Sequence, residues 1–137
     1  MDLYPWINGV TDVPLIVLRI AIGAIFLVHG VPKVTATKKI VETMGKPHIA
    51  DFMRFLGCAE MAGAVAVLLG LLTPVAAAGL SIVMVGAMFL KGFVLQTRFN
   101  AHDETGWELD AMILSGTLTL FFLGAGRFSL DRLIFGA

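Results

Sequence analysis

Four ionisable side chains stand at or near the ends of long apolar runs in this sequence: His29, Glu60, Lys91 and Glu108. Imidazole and carboxylate groups exchange protons in general acid–base catalysis, and histidine changes charge near physiological pH. Because an ionisable group inside a bilayer is costly, each of the four is a candidate functional residue. We expect them to meet in one partly buried site for a quinone and its protons, with Lys91 at the rim.

Glu60 is the deepest acid in these runs, and it is flanked by Gly57 and Gly63. One interpretation is a proton-active carboxylate beside a cavity that the small residues leave open. The other is a structural ion pair with a nearby cation. The candidate cations are His29, Arg54 and Lys91.

Glu108 and His29 also have structural explanations. Glu108 opens a predicted helix, where the helix dipole favours an acid, and Asp110 is interpreted as a surface or dipole residue. His29 fits a hydrogen bond to a quinone, a proton relay or a satisfied position at the membrane interface. A haem would need a second histidine in the membrane, whereas His48 and His102 fall in predicted loops. We expect no metal site and no intrinsic cofactor, which leaves a quinone as the candidate ligand.

One further charge lies at the opposite ends of the apolar runs. Arg19 is more than a helical turn inside the first run. A guanidinium inside a helix bundle needs a carboxylate or several carbonyl groups. Apart from Asp12, just outside the run, the acid expected at the same level is Asp131. We therefore predict a structural ion pair between Arg19 and Asp131.

The composition is that of a membrane protein. Of 137 residues, 58% are hydrophobic and 15% are charged, and the formal net charge is zero. A soluble domain of this size could not bury so much apolar surface, and the chain has no basic face for nucleic acid. Its single cysteine excludes an intrachain disulfide, a CxxC redox pair and a cysteine-rich metal site.

Four apolar runs approach the length of about 20 residues that a membrane-spanning helix needs. They do not alternate as the strands of a membrane barrel would. The sequence therefore predicts an all-α integral membrane protein, a bundle of four transmembrane helices forming a single domain over residues 1–137. The predicted helices cover about residues 14–31, 52–72, 74–95 and 107–123.

Small residues and short connections complete this prediction. Glycines seven residues apart indicate close helix packing in the first three helices; the pairs are Gly23 and Gly30, Gly63 and Gly70, and Gly79 and Gly86. A short interfacial helix is an option just after Pro47, and a tight turn is predicted at Thr73-Pro74. The segment 127–135 alternates charged with bulky apolar residues, which predicts a short helix on the membrane surface with Ser129 as its N-cap.

Basic residues are unevenly distributed between the two sides of such a bundle. Seven of the ten lie at the two polar loops, and three lie on the side of the termini. Short loops rich in lysine and arginine remain in the cytoplasm. The distribution therefore predicts cytoplasmic polar loops and both termini outside the cytoplasm.

Five short motifs follow one another along the chain and together cover most of it. This order resembles the DoxX family of small bacterial and archaeal membrane proteins, over about residues 14–133. The motifs are R-x3-G-x2-F-x2-H-G-x2-K at 19–33, E-x2-G at 60–63, L-G-L-L-T at 69–73, G-[aromatic]-E at 106–108 and G-x-G-R-[aromatic]-S-L-D at 124–131.

The resemblance implies a multi-pass protein of the prokaryotic plasma membrane. It further implies a membrane subunit of a quinone-linked oxidoreductase or respiratory assembly, which would receive electrons from other membrane subunits or a soluble redox partner. Two positions depart from the family pattern. Members often have a histidine where this chain has Lys91, and commonly a tyrosine where it has Trp107.

Two alternatives to the quinone-linked function remain open at this point. In the first, the chain is a structural or anchoring subunit of a larger membrane complex, and its buried charges are interhelical pairs. In the second, it transports a small molecule, although four helices are few for alternating access. The expected partners are the lipid bilayer, further membrane or redox subunits and another copy of the chain, and no nucleic acid.

Overall fold

The computed structural model describes residues 12–35, 47–100 and 106–136. Helix accounts for 84% of them, and these ranges contain no strand, which confirms the all-α class. A π-helical turn, Leu90–Val94, continues the third helix. The helices are α1 (Asp12–Thr35), α2 (Pro47–Leu69), α3 (Thr73–Phe89), α4 (Glu108–Leu123) and α5 (Leu130–Phe135).

Three of these segments are long and apolar enough to cross a membrane: Asp12–Thr35, His48–Leu69 and Thr73–Val94. Helix α4 has 16 residues. At a rise of 1.5 Å per residue it is about 24 Å long, which is less than the roughly 30 Å of a bilayer's hydrocarbon core. The described residues therefore contain three candidate spans where the sequence predicts four.

Helix α2 begins earlier than predicted. Its first residue is Pro47, and proline suits a first helical position because no N–H is needed there. The stretch after Pro47 is thus the start of α2 and not a separate interfacial helix. His48, predicted in a loop, lies in the first turn.

Helix α2 also ends earlier than predicted, at Leu69. Gly70 and Leu72 follow with φ angles of 66° and 47°. This left-handed conformation ends the helix and is costly for leucine. The chain therefore turns at 70–72, and Thr73-Pro74 starts α3 instead of forming the turn.

The four longer helices pack in a cycle. The most extensive contacts join α1 to α2 and α3 to α4, and smaller ones join α2 to α3 and α1 to α4. Their buried apolar side chains form one core, whereas many large apolar side chains point outward, where lipid would cover them. The core residues are Leu15, Ile22, Phe26, Ala64, Val67, Ala77, Leu80, Met84, Ile113 and Leu120.

This arrangement gives the molecule two ends, which we name by what they contain. The terminal end holds the start of α1, the turn at 70–72, the end of α4 and helix α5. The loop end holds the end of α1, the start of α2, the π-helical turn and the start of α4. A hydroxyl pair joins α3 to α4 between the two ends, since Ser81 Oγ lies 2.8 Å from Thr117 Oγ1.

The predicted packing glycines behave differently in different helices. A Cβ atom at Gly23 would overlap Leu68, one at Gly30 would overlap Met61, and one at Gly63 would press on Leu80. These glycines do permit close helix approach. Around Gly79 and Gly86, by contrast, a Cβ atom would meet nothing within 4 Å. The packing prediction is therefore wrong for α3, whose glycines face outward.

Helix α5 has the predicted N-cap. The Ser129 hydroxyl accepts a hydrogen bond from the Arg132 amide at 3.2 Å. Leu133, Ile134 and Phe135 are all exposed, as a helix lying on a membrane surface requires. The surface location itself stays a prediction.

Candidate functional site

Glu60 is fully buried at the loop end and binds a lysine of the neighbouring helix. Lys33 Nζ lies 2.5 Å from its Oε1 and 2.7 Å from its Oε2. The Lys33 side chain is 26% exposed, so its ammonium group connects the buried carboxylate to the surface. Of the two interpretations of Glu60, the structure shows an ion pair, and its partner is a cation that the sequence did not single out.

A second ion pair joins α3 to α4 at the same end. Lys91 Nζ, in the π-helical turn, lies 2.7 Å from Asp110 Oδ2, although the angles are not those of a hydrogen bond. Asp110 is buried, so its interpretation as a surface residue is wrong. The partner of Lys91 is this residue on α4.

His29 lies on the exposed side of α1. Its Nδ1 is 2.8 Å from the carbonyl oxygen of Ile25. A carbonyl oxygen only accepts, so Nδ1 carries the proton of the neutral ring and Nε2 is left as an acceptor. Because Lys33 is four residues further on, the two side chains share one face of the helix.

Glu108 begins α4 and is half-buried. Its amide donates to the Phe99 carbonyl at 3.2 Å, and the neighbouring Trp107 ring packs edge-on against Phe99, with centroids 4.4 Å apart. No hydrogen bond or ion pair in the described ranges links the Glu108 side chain to His29, Glu60 or Lys91. The four predicted residues thus share one end, and convergence into one site stays a prediction.

Arg19 is buried at the terminal end and donates four hydrogen bonds to backbone carbonyls. Nε and Nη2 bond Val67 and Leu68 at the end of α2, at 2.9 and 2.7 Å. Nη1 bonds Ala125 and Phe128 at 3.1 and 2.7 Å. The guanidinium therefore holds α2 to the segment before α5, and it also neutralises the negative end of the α2 dipole.

Asp131 completes this arrangement from the other side of the turn. Its Oδ1 and Oδ2 accept hydrogen bonds from the Leu72 and Thr73 amides at 2.5 and 2.8 Å, at the first turn of α3. Its own amide donates to the Gly70 carbonyl at 2.8 Å. Asp131 also attracts Arg19 electrostatically, but the hydrogen bonds of both side chains go to backbone groups, and the two have no direct salt bridge.

Gly70 lies at the centre of these contacts. A Cβ atom there would lie 2.6 Å from Ser129 Cβ and 2.7 Å from Arg19 Nη2, and its φ of 66° also favours glycine. We call Arg19, Gly70, Ser129 and Asp131 the terminal cluster. Residues of three of the sequence motifs thus meet in one structural unit.

A groove of about 670 Å³ opens beside the terminal cluster. Its apolar wall includes Val75, Phe121 and Phe122, and its polar wall includes Arg127 and Arg132. The sequence gave no sign of this groove because its walls come from α3, α4 and α5, which are distant along the chain. Within the described ranges, no three histidine, cysteine or carboxylate groups come close enough to share a metal ion.

Known proteins resemble this chain over nearly its whole length, and they are membrane proteins by name. "Uncharacterized membrane protein Rv3486" of Mycobacterium tuberculosis is 36% identical over 129 residues, covering 86% of this chain and 79% of that protein. "Inner membrane protein YqjF" of Escherichia coli is 29% identical over 133 residues, covering 90% and 93%. "Putative oxidoreductase CatD" of Bacillus subtilis is 25% identical over 129 residues, covering 93% and 92%.

No solved structure matches the chain. The family model named DoxX matches residues 15–92, more than half of the chain. That range includes Arg19, Lys33, Glu60 and Gly70, which form the contacts described above between α1 and α2. The chain is therefore a membrane protein of the DoxX family.

Proposed function

We propose that this protein is the membrane subunit of a quinone-linked oxidoreductase and that its loop end receives the quinone headgroup and the accompanying protons. The observation that carries the proposal is the fully buried carboxylate of Glu60, bound to a partly exposed lysine one turn beyond His29. A buried ion pair is weak support for stability alone, and an ionisable residue inside a membrane protein is a functional candidate.

The groups at the loop end fit the chemistry of a quinone. A bound quinone supplies two-electron redox chemistry and needs hydrogen-bonding groups at its oxygens. The exposed ring of His29 accepts a proton at Nε2 in its neutral form and donates from the same atom when charged. Lys33 offers ammonium protons to the same face of α1, and Glu60 balances its charge.

Electrons would come from a partner protein, since the described ranges contain no metal-binding cluster. The name of the Bacillus subtilis relative, which includes the word oxidoreductase, supports this class of function. The same class is implied by the order of motifs in the sequence.

The test compares two changes at the proposed site with a matched histidine elsewhere. Glu60→Gln and His29→Ala should reduce co-purifying quinone at least about tenfold, because each removes a group that positions or protonates it. His48→Ala changes another exposed histidine at the loop end and should leave quinone retention unchanged. Quinone is extracted from protein purified in mild detergent and quantified by chromatography.

A specific observation also favours the anchoring subunit. Both buried acids at the loop end already have a lysine partner on the neighbouring helix, as purely structural charges would. If Glu60→Gln and His29→Ala lower only the yield of folded protein and leave the quinone content per folded molecule unchanged, the anchoring function replaces the quinone-linked one.

We further propose that α4 is a fourth membrane crossing and that both ends of the chain lie outside the cytoplasm. The cyclic packing of α1 to α4 places α4 beside two candidate spans, and the basic residues favour cytoplasmic polar loops. Alkaline phosphatase fused after Ala137 should be active and green fluorescent protein at the same position dark. A fusion after Thr97 should give the reverse, and a cytoplasmic signature at Ala137 would refute this orientation.

A further inference from the structure

The groove at the terminal end combines free positive charge with an apolar wall. Arg127 and Arg132 both line it and are exposed. Neither guanidinium forms a hydrogen bond or a salt bridge with a side chain in residues 12–35, 47–100 or 106–136. Their donors are therefore available to a ligand with negatively charged oxygen atoms, for which guanidinium is well suited.

The two acids in the groove do not cancel this positive charge. Asp12 Oδ1 accepts a hydrogen bond from the Arg127 amide at 2.7 Å, and both carboxylate oxygens of Asp131 accept from backbone amides of the turn before α3. The buried guanidinium of Arg19 lies beneath Asp131 and attracts it. Three arginines thus face two acids that already serve as acceptors for the backbone.

The apolar wall faces sideways, toward the surface that a bilayer covers. Val75 on α3 is 70% exposed and Phe122 on α4 is 76% exposed. Phe135 of α5 closes the far side of the groove. A ligand that enters from the bilayer would therefore lay an apolar chain against α3 and α4 while its polar head meets the arginines of the α5 segment.

We propose that this groove is a binding site for an anionic phospholipid. The phosphate oxygens bind Arg127 and Arg132, and an acyl chain lies along Val75 and Phe122. The volume of about 670 Å³ accommodates a headgroup and the first part of a chain, and it falls within the usual range of ligand sites. This site is separate from the quinone-linked proposal, which concerns the opposite end.

The experiment measures lipid retention by the full-length protein. Protein in nanodiscs of equal parts dioleoylphosphatidylglycerol and dioleoylphosphatidylcholine is released into detergent, and bound lipid is identified by native mass spectrometry. The wild type should retain phosphatidylglycerol preferentially. Arg127→Gln and Arg132→Gln should each reduce this preference about fivefold, the usual effect of one basic residue at an anionic surface.

Two further variants separate this site from general attraction to lipid. Arg54→Gln changes an exposed arginine at the loop end and should leave the preference unchanged. Val75→Trp fills the groove from an exposed position and should reduce retention of both lipids without changing the charge. Melting temperatures near that of the wild type confirm that each variant is folded.

Three outcomes would overturn the proposal. One is equal retention of both lipids by the wild type, and the second is a preference that survives both arginine changes. The third is displacement of phosphatidylglycerol by inorganic phosphate alone, which would reveal a site for free anions with no contribution from the acyl chain. If Arg127→Gln and Arg132→Gln combined fail to fold, the two single variants carry the comparison.

Discussion

Replacement of Arg19 by methionine will lower the melting temperature of the detergent-solubilised protein by roughly 10 °C or more. The change keeps the apolar stem but removes four hydrogen bonds to backbone carbonyls at the terminal end. A buried acceptor left without its donor costs about 1–3 kcal/mol. Even with some replacement by water, the loss should exceed about 3 kcal/mol in the free energy of unfolding.

Lysine at position 19 will rescue only part of this loss. It keeps the charge beside the α2 terminus, but an ammonium group cannot reproduce the planar fork that reaches Val67 and Leu68 on one side and Ala125 and Phe128 on the other. Arg127→Met is the matched control, because that guanidinium is exposed. Melting is followed by size-exclusion chromatography after heating. Equal melting temperatures for Arg19→Met and Arg127→Met would contradict the role of Arg19.

Replacement of Lys33 by methionine will be the second most damaging single change. It leaves the carboxylate of Glu60, which is 0% exposed, without its counter-ion. Breaking a buried pair by removing one partner costs about 3–5 kcal/mol. The expected readout is a large fall in the yield and melting temperature of the purified protein.

The double variant Lys33→Met with Glu60→Leu distinguishes a lost pair from lost packing. Replacing both members with apolar residues removes the uncompensated charge, so stability should return to near that of the wild type. The resulting double-mutant cycle should show strong non-additivity. Additive losses would contradict the coupling, and Arg54→Met, at an exposed position, should be close to neutral.

The sequence predicts the helices well because long apolar runs in this chain have few alternative structures. Its errors lie at helix ends, where a few residues decide. Two left-handed residues, Gly70 and Leu72, move the turn before Thr73-Pro74, and a left-handed leucine has no sequence signature.

The partners of the buried charges were harder to predict than their locations. Helix spacing places Glu60, Lys91 and Asp110 near one end, but pairing depends on how each helix is rotated about its axis. Lys33 was counted as a loop charge, although it lies in the last turn of α1. Arg19 was expected to find a carboxylate, and it uses carbonyls that become available only because α2 ends at Leu69.

The location of the two ion pairs has a consequence for the order of membrane insertion. Lys33–Glu60 lies within the hairpin of α1 and α2, and Lys91–Asp110 lies within the hairpin of α3 and α4. Each hairpin can therefore enter the bilayer with these charges already neutralised by its own residues. Arg19, in contrast, needs the carbonyls of Ala125 and Phe128, which are synthesised after α4. Closure of the terminal end is thus a late step of biogenesis, and until then an early-inserted helix carries a half-satisfied arginine.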